Sequence, residues 1–352
     1  MEEKVIMEDK KQKSVIKQIF LFTFQISLAV AIIVWMISKN KEQIIAAFEN
    51  FHFIWLVPGL IFYATHIFVG AWRWRMLLNV QNIKITFFDS LSLTMQGFFF
   101  SLVLPGGALG GDVVKAAFLI KKTPKGNKLI GSFTILVDRI IGMSSLFALA
   151  AITTIFSYEA LANLKGFSIF FVYLLIAGCI GGLGAAIVLF FHDKLNVIPG
   201  FKALLAFGDK ISKNAVSRLI NAIDSYRTAW KTILLAFLVS IVFVHTMIAS
   251  VIFCIAGGLD ANKASPTTYI LATSIANAAA CVPATQSGIG TRDYVLQTIL
   301  CSGGIEKAKA ITIALIYTAI ILSFNLCGGL FFAFSKLTVS ENKKLKDESI
   351  KE

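Results

Sequence analysis

Charge is scarce in this chain: Asp, Glu, Lys and Arg together supply 15% of its 352 residues, too few to solvate a globule of that length. A water-soluble fold is thereby excluded. Histidine is rarer still. His52, His66, His192 and His245 are scattered, without metal-ligand spacing or a close acid partner, so neither a metal centre nor a catalytic set is expected. The five cysteines (Cys179, Cys254, Cys281, Cys301, Cys327) stand singly in or beside apolar stretches, and no Cys-x-x-Cys occurs. They read as packing residues and say nothing of redox compartment. No ATP-binding motif is present, and no cofactor is expected. Long hydrophilic stretches are also lacking, the longest being 192–231.

What the chain has instead is apolar side chains, 57% of the total, with a mean hydropathy of +0.76. That composition belongs to a polytopic membrane protein. The net charge of +13 comes from Lys and Arg in short loops between apolar runs, a pattern that sets membrane orientation and argues against nucleic acid as a partner. The fold expected is all-α. Six spans are read at about 20–38, 53–72, 129–157, 167–191, 232–257 and 310–335. Domain boundaries follow: a basic N-terminus at 1–18, a first membrane repeat at 19–157, a second at 158–335, and a charged tail at 336–352 read as disordered. Within the second repeat, about 200–230 reads as an amphipathic surface helix, with Val216, Leu219, Ile220, Ile223, Tyr226 and Trp230 at helical spacing. Gly178, Gly181, Gly182 and Gly184 predict close approach of another helix to the fourth span. Trp55, Trp72, Trp74 and Trp230 read as interfacial anchors, and Arg73 and Arg75 as loop residues beside them.

Two apolar stretches are interrupted. In the first, Pro105, Gly106, Gly107, Gly110 and Gly111 make a regular helix improbable, and a half-helix of about nine residues restarts at Asp112. Nine residues rise about 13 Å, against the roughly 30 Å of a bilayer core, so 87–120 is predicted to be a re-entrant hairpin. The second interruption, with Pro283, Ser287, Gly288 and Gly290, breaks the apolar segment that begins at Thr267. Of the 33 Lys and Arg, 24 fall in the segments this layout makes cytoplasmic and six in the outer ones, which predicts both termini in the cytoplasm of a cell-membrane protein. The hairpins then enter from opposite faces and each half reads as two spans, a broken hairpin and one span. That is an inverted repeat whose breaks meet near the midplane.

Three acid–base sets lie within the membrane region: Asp112 with Lys115, Asp138 beside Arg139, and Arg292 beside Asp293. A charge at the bilayer centre costs about 2.5 to 3.5 kcal/mol, so six of them require a reason. Asp112 and Lys115 share a helical face and can neutralise one another. Asp138 and Arg139 diverge by about 100° and must each find a partner elsewhere. In one reading Lys115, Arg139 and Arg292 line a cavity for an anionic headgroup, with Asp112 and Thr291 capping the restarted helices. In the other, all six form a buried network that only fixes the two halves in register.

Three stretches carry a resemblance: PGGALGGDVVKA (Pro105–Ala116), DRIIG (Asp138–Gly142) and PATQSGIGTRD (Pro283–Asp293). In these the chain resembles the flippase-like membrane family that includes the transmembrane part of lysylphosphatidylglycerol synthase, the multiple peptide resistance factor. Lys115 stands where Arg is usual in that family and Asp293 where Glu is usual; charge is kept, but bidentate geometry at 115 is not. The resemblance implies movement between leaflets of a lipid with an anionic or zwitterionic headgroup, such as aminoacylated phosphatidylglycerol. It also implies a separate lipid-modifying synthase or glycosyltransferase as a partner, because no hydrophilic stretch here is long enough for an aminoacyl-transferring domain. The competing reading is a membrane-embedded transferase, or the membrane subunit of a phosphatidylglycerol lysyltransferase or glycan-transfer system. A non-catalytic scaffold for a glycosyltransferase is a third.

Overall fold

A computed structural model describes residues 2–122, 128–191, 201–212, 217, 220, 224, 226–282 and 284–348. Pro283 of the second break, and Val216, Leu219 and Ile223 of the expected surface helix, lie outside the described residues. The described chain is all-α, and six of its helices are long and apolar enough to cross a membrane: Ile19–Ser38, Phe53–Val80, Gly131–Phe156, Ile169–Val188, Trp230–Gly258 and Lys307–Phe334. It is a multi-pass membrane protein.

In chain order, α1 (Glu2–Ser38) is followed by the short α2 (Lys41–Glu49) and by α3 (Leu56–Val80). The first hairpin is α4 (Phe87–Val103) and α5 (Ala108–Lys122). Next come α6 (Lys128–Phe156), the one-turn α7 (Tyr158–Ala162), α8 (Phe167–Phe190) and α9 (Phe201–Ser212). The fifth span is α10 (Trp230–Val239), a π-helical turn at Ser240–His245, and α11 (Thr246–Gly258). The second hairpin is α12 (Pro266–Ala280) and α13 (Thr291–Ser302), and α14 (Lys307–Glu348) ends the described chain. Local chemistry fixes the hairpin starts. Thr86 and Asp89 form a capping box at α4; Ser265, ahead of Pro266, accepts the Thr268 N–H at α12.

The two halves exchange equivalent contacts. The first hairpin's leading arm α4 packs on the last span of the second half, α14, and the second hairpin's leading arm α12 packs on the last span of the first half, α6. α3 and α11, the second span of each half, pack on each other. Because one hairpin follows two spans and the other follows five, they enter from opposite faces, as an inverted repeat requires. One large core of buried apolar residues joins both halves, among them Tyr63, Leu91, Leu146, Ile252, Ile275 and Ile313.

Several expectations need correction. α5 starts at Ala108, so the restarted helix has 15 residues rather than about nine, and Gly110 and Gly111 lie inside it. Their role is close packing: a Cβ on Gly111 would come within 2.2 Å of the Gly97 carbonyl oxygen on α4. Only Gly182 of the fourth span is used this way, against Phe147; nothing lies within 4 Å of a Cβ at Gly178, Gly181 or Gly184. Helix α14 continues through Glu348, so most of the tail read as disordered is helical. Tyr226 is fully buried and donates its hydroxyl to the Leu77 carbonyl at 3.0 Å; burial pushes that hydroxyl's pKa above its usual value. It belongs to the core and not to a lipid-facing row.

Gly111→Ala is expected to lower stability by about 1 to 3 kcal/mol, because the added methyl must displace backbone. Gly178→Ala, with open space around it, is expected to change stability by less than about 0.5 kcal/mol in the unfavourable direction. Thermal unfolding of both variants in one detergent checks the contrast.

Candidate functional site

A chain that leaves the helical path inside a membrane frees carbonyl groups that have no water to bond. Here side chains of the second break satisfy the carbonyls of the first. After Val103 the backbone extends through Leu104 and turns at Gly106 (φ +90) and Gly107 (φ +55). The second break turns at Ser287 (φ 53), Gly288 (φ 73) and Gly290 (φ 85). The Gln286 side-chain amide donates to three carbonyls of the first hairpin, Ser101 at 2.8 Å, Leu104 at 3.0 Å and Leu102 at 3.3 Å, and the Ser287 hydroxyl donates to Ser101 at 2.9 Å. A Cβ on Gly107 would sit 3.3 Å from the Ser287 nitrogen, so backbone meets backbone. Sequence reasoning identified both breaks and their meeting but missed Gln286.

Around this junction the charged residues fall into two groups. In the first, the adjacent Asp138 and Arg139 take different partners, as their angular separation demands. Arg139 grips Asp112 through two hydrogen bonds of 2.7 and 2.9 Å, the fork geometry in which a guanidinium binds a carboxylate most strongly. Its side chain is 43% exposed, and that of Asp112 20%. Asp138 pairs instead with Arg73 at 2.9 Å, and Arg73 also donates to Ser240 at 2.7 Å from the π-helical turn. Arg73 was expected to be a loop residue; the third helix runs on to Val80 and buries it at 7% exposure. Trp74, expected at the interface, is fully buried, donates its indole N–H to Thr134 and presents its ring to the Lys115 ammonium 3.6 Å from the centroid. Lys115 therefore does not pair with Asp112, although Asp138, Asp112, Arg139 and Arg73 all act on it electrostatically.

The second group is closed. Arg292 and Asp293 are 4% and 0% exposed. Asp293 accepts the Gly290 N–H at 2.9 Å, capping α13 in place of Thr291, whose hydroxyl donates to the Gly288 carbonyl. It also accepts the Thr318 hydroxyl at 2.6 Å. Arg292 donates to Thr318, stands 3.4 Å from Asp293 and lies over the Tyr317 ring. Asp112 likewise caps nothing, since α5 begins four residues earlier. Among the described residues no salt bridge joins the second group to the first; of the six charged candidates Arg139 is the most exposed, the side chains of Asp112 and Asp138 are 20% and 14% exposed, and the other three are buried. Lys115, Arg139 and Arg292 do not share one open wall in this structure.

Residues 22–329 match the family described as the lysylphosphatidylglycerol synthase TM region. The chain belongs to this family. A UPF0104 membrane protein of Pyrococcus horikoshii is 26% identical over 112 residues, which is 32% of this chain and 33% of the relative. The chain thus aligns with about a third of that relative's length. No solved structure matches. Both breaks, both charged groups and their pairing residues Arg73 and Thr318 fall within the family match.

Arg73→Leu leaves Asp138 buried without its counter-ion and is expected to cost about 3 to 5 kcal/mol of stability, while Arg73→Met combined with Asp138→Leu is expected to recover most of it. Thermal unfolding of the single and double variants checks the difference.

Proposed function

We propose that this chain moves a lipid with an anionic or zwitterionic headgroup between the leaflets of the cell membrane, with both termini in the cytoplasm. The observation that carries this reading is the Asp112–Arg139 pair. It is partly exposed at the depth where the hairpins meet, and exposed apolar side chains flank it: Leu109 and Val113 on α5, Leu136 and Met143 on α6. A charged pair between apolar walls suits an amphiphile whose acyl chains remain in the bilayer. Arg139 already holds an oxyanion in a two-point grip, so a phosphodiester can replace the carboxylate with little change in geometry. Asp112, once released, has Lys115 three residues along its own helix to turn to. Lys115 and Asp138, with Arg73 behind them, keep the field around the exchange close to neutral. Family membership supports a lipid-related membrane role; translocation is the reading drawn from the geometry.

The test is a leaflet-resolved exchange assay in proteoliposomes of phosphatidylglycerol and phosphatidylcholine. Arg139→Ala, at equal folded amount, is expected to slow exchange by about tenfold or more, the kinetic equivalent of one lost charge-assisted hydrogen bond. Exchange at the wild-type rate would remove the proposal. A covalently altered lipid in the same vesicles would favour the transferase reading instead.

A further inference from the structure

The charges of the first group do not add to zero. Arg73, Lys115 and Arg139 are cations, Asp112 and Asp138 are carboxylates, and the set carries one positive charge in excess. It is a single electrostatic set, since both carboxylates and both guanidinium groups act on Lys115. Four of the five are matched, Arg73 with Asp138 and Arg139 with Asp112, and Lys115 is left over. Its side chain is 7% exposed, its stem lies against Gly97 of α4, and its ammonium rests on the Trp74 ring, which the bond to Thr134 holds in place. Among the described residues no oxygen accepts a hydrogen bond from its nitrogen and no carboxylate pairs with it. A ring face is the seat of a charged ammonium, for a neutral amine gains little there. The neighbouring groups do not supply the missing negative charge. Near Arg139, the Cys281 thiol donates to the Asn277 carbonyl at 3.4 Å; near Arg73, His66 and His245 bond the Val244 and Gly142 carbonyls. A buried cation without a matching anion is costly, and such groups in a membrane mark places where a ligand completes the set.

We propose that the site selects a headgroup of one net negative charge, a phosphodiester whose alcohol is uncharged, and that Lys115 sets this preference. That the ligand is a lipid rests on the transport reading above; the charge count does not. When the phosphate takes Arg139, Asp112 turns to Lys115 one helical turn away and Asp138 stays with Arg73, so that three cations face three anions. A zwitterionic headgroup brings its own cation. Its amine can take Asp112, but Lys115 then remains unmatched. A lysylated phosphodiester adds two ammonium groups and moves the set further from balance. The order expected is therefore the reverse of the aminoacylated lipids that the family resemblance implies.

Two measurements test this. In the first, the protein in nanodiscs holding phosphatidylglycerol, phosphatidylcholine and lysylphosphatidylglycerol in equal parts is moved into a gentle detergent, and the lipids it keeps are counted by mass spectrometry. Phosphatidylglycerol is expected to be kept about tenfold or more over phosphatidylcholine, with lysylphosphatidylglycerol below both. In Lys115→Met and Lys115→Gln the preference for phosphatidylglycerol over phosphatidylcholine is expected to fall to within about twofold. Because Lys115 is buried, neither change alters the basic loops that gather anionic lipid. Equal retention in the wild type, more lysylphosphatidylglycerol than phosphatidylglycerol, or the wild-type preference in either variant overturns the proposal. The second measurement is thermal unfolding in lipid-free detergent. Lys115→Met is expected to unfold at a higher temperature than the wild type, because the unmatched charge is gone, and added phosphatidylglycerol is expected to raise the wild type more than the variant. A lower unfolding temperature for the variant overturns the charge count, and an equal rise of the wild type on adding inorganic phosphate overturns the lipid assignment in favour of a free anion. If the wild type keeps phosphatidylglycerol but exchanges none between leaflets, the transport reading fails and the charge preference stands.

Discussion

A carbonyl oxygen freed inside a bilayer has nowhere to turn for a hydrogen bond, and this constraint shapes the centre of the molecule. Each hairpin turns back part-way across the membrane and releases backbone groups in doing so. Gln286 gathers three of the freed oxygens of the first hairpin, and Ser287 adds a second bond to one of them. The inverted repeat follows from the same requirement. Two broken elements entering from opposite faces can meet tip to tip, and each leading arm then packs on the last span of the other half. The charges take their places around that junction. Asp293 lies in the first turn of its restarted helix and Asp112 in the second turn of its own, and the last span of each half supplies their partners.

Each of the ionisable residues around the junction has a partner. Arg73 and Asp138, both nearly enclosed, have each other and Ser240. Lys115 has the face of Trp74. Arg139 and Asp112, the most exposed of these, are joined by the two-bond fork. Of the two readings of the charges left open by the sequence, the enclosed Arg73–Asp138 pair fits the register reading and the partly exposed Arg139–Asp112 pair fits the headgroup reading.

Much of this was legible in the sequence because it depends on composition and period. Six apolar runs of span length, two Gly-Pro interruptions and the distribution of Lys and Arg led to the spans and to opposed hairpins. The need of Asp138 and Arg139 for separate partners followed from helical geometry alone. Partner identity did not, since nothing in the period says which distant side chain faces which. Arg73 was misplaced because Trp-Arg-Trp-Arg resembles an interface belt; the apolar residues Met76 to Leu78 beyond it were the signal that the helix continues. The start of α5 was misjudged because glycines that break a helix and glycines that let two helices touch look alike in sequence. Gly111, against Gly97 of α4, is of the second kind, and Gly110 packs closely on Leu104 and Pro105 of the break.

The reach of Gln286 has a consequence for biogenesis. Its acceptors at Ser101, Leu102 and Leu104 are made more than 180 residues before it. At about 5 to 20 residues per second of synthesis, the first hairpin waits on the order of ten seconds or more for the side chain that completes it. During that interval its bare carbonyls need water, the insertion machinery or a chaperone to satisfy them. The first half of this protein is therefore a poor candidate for stable insertion on its own, however apolar its helices.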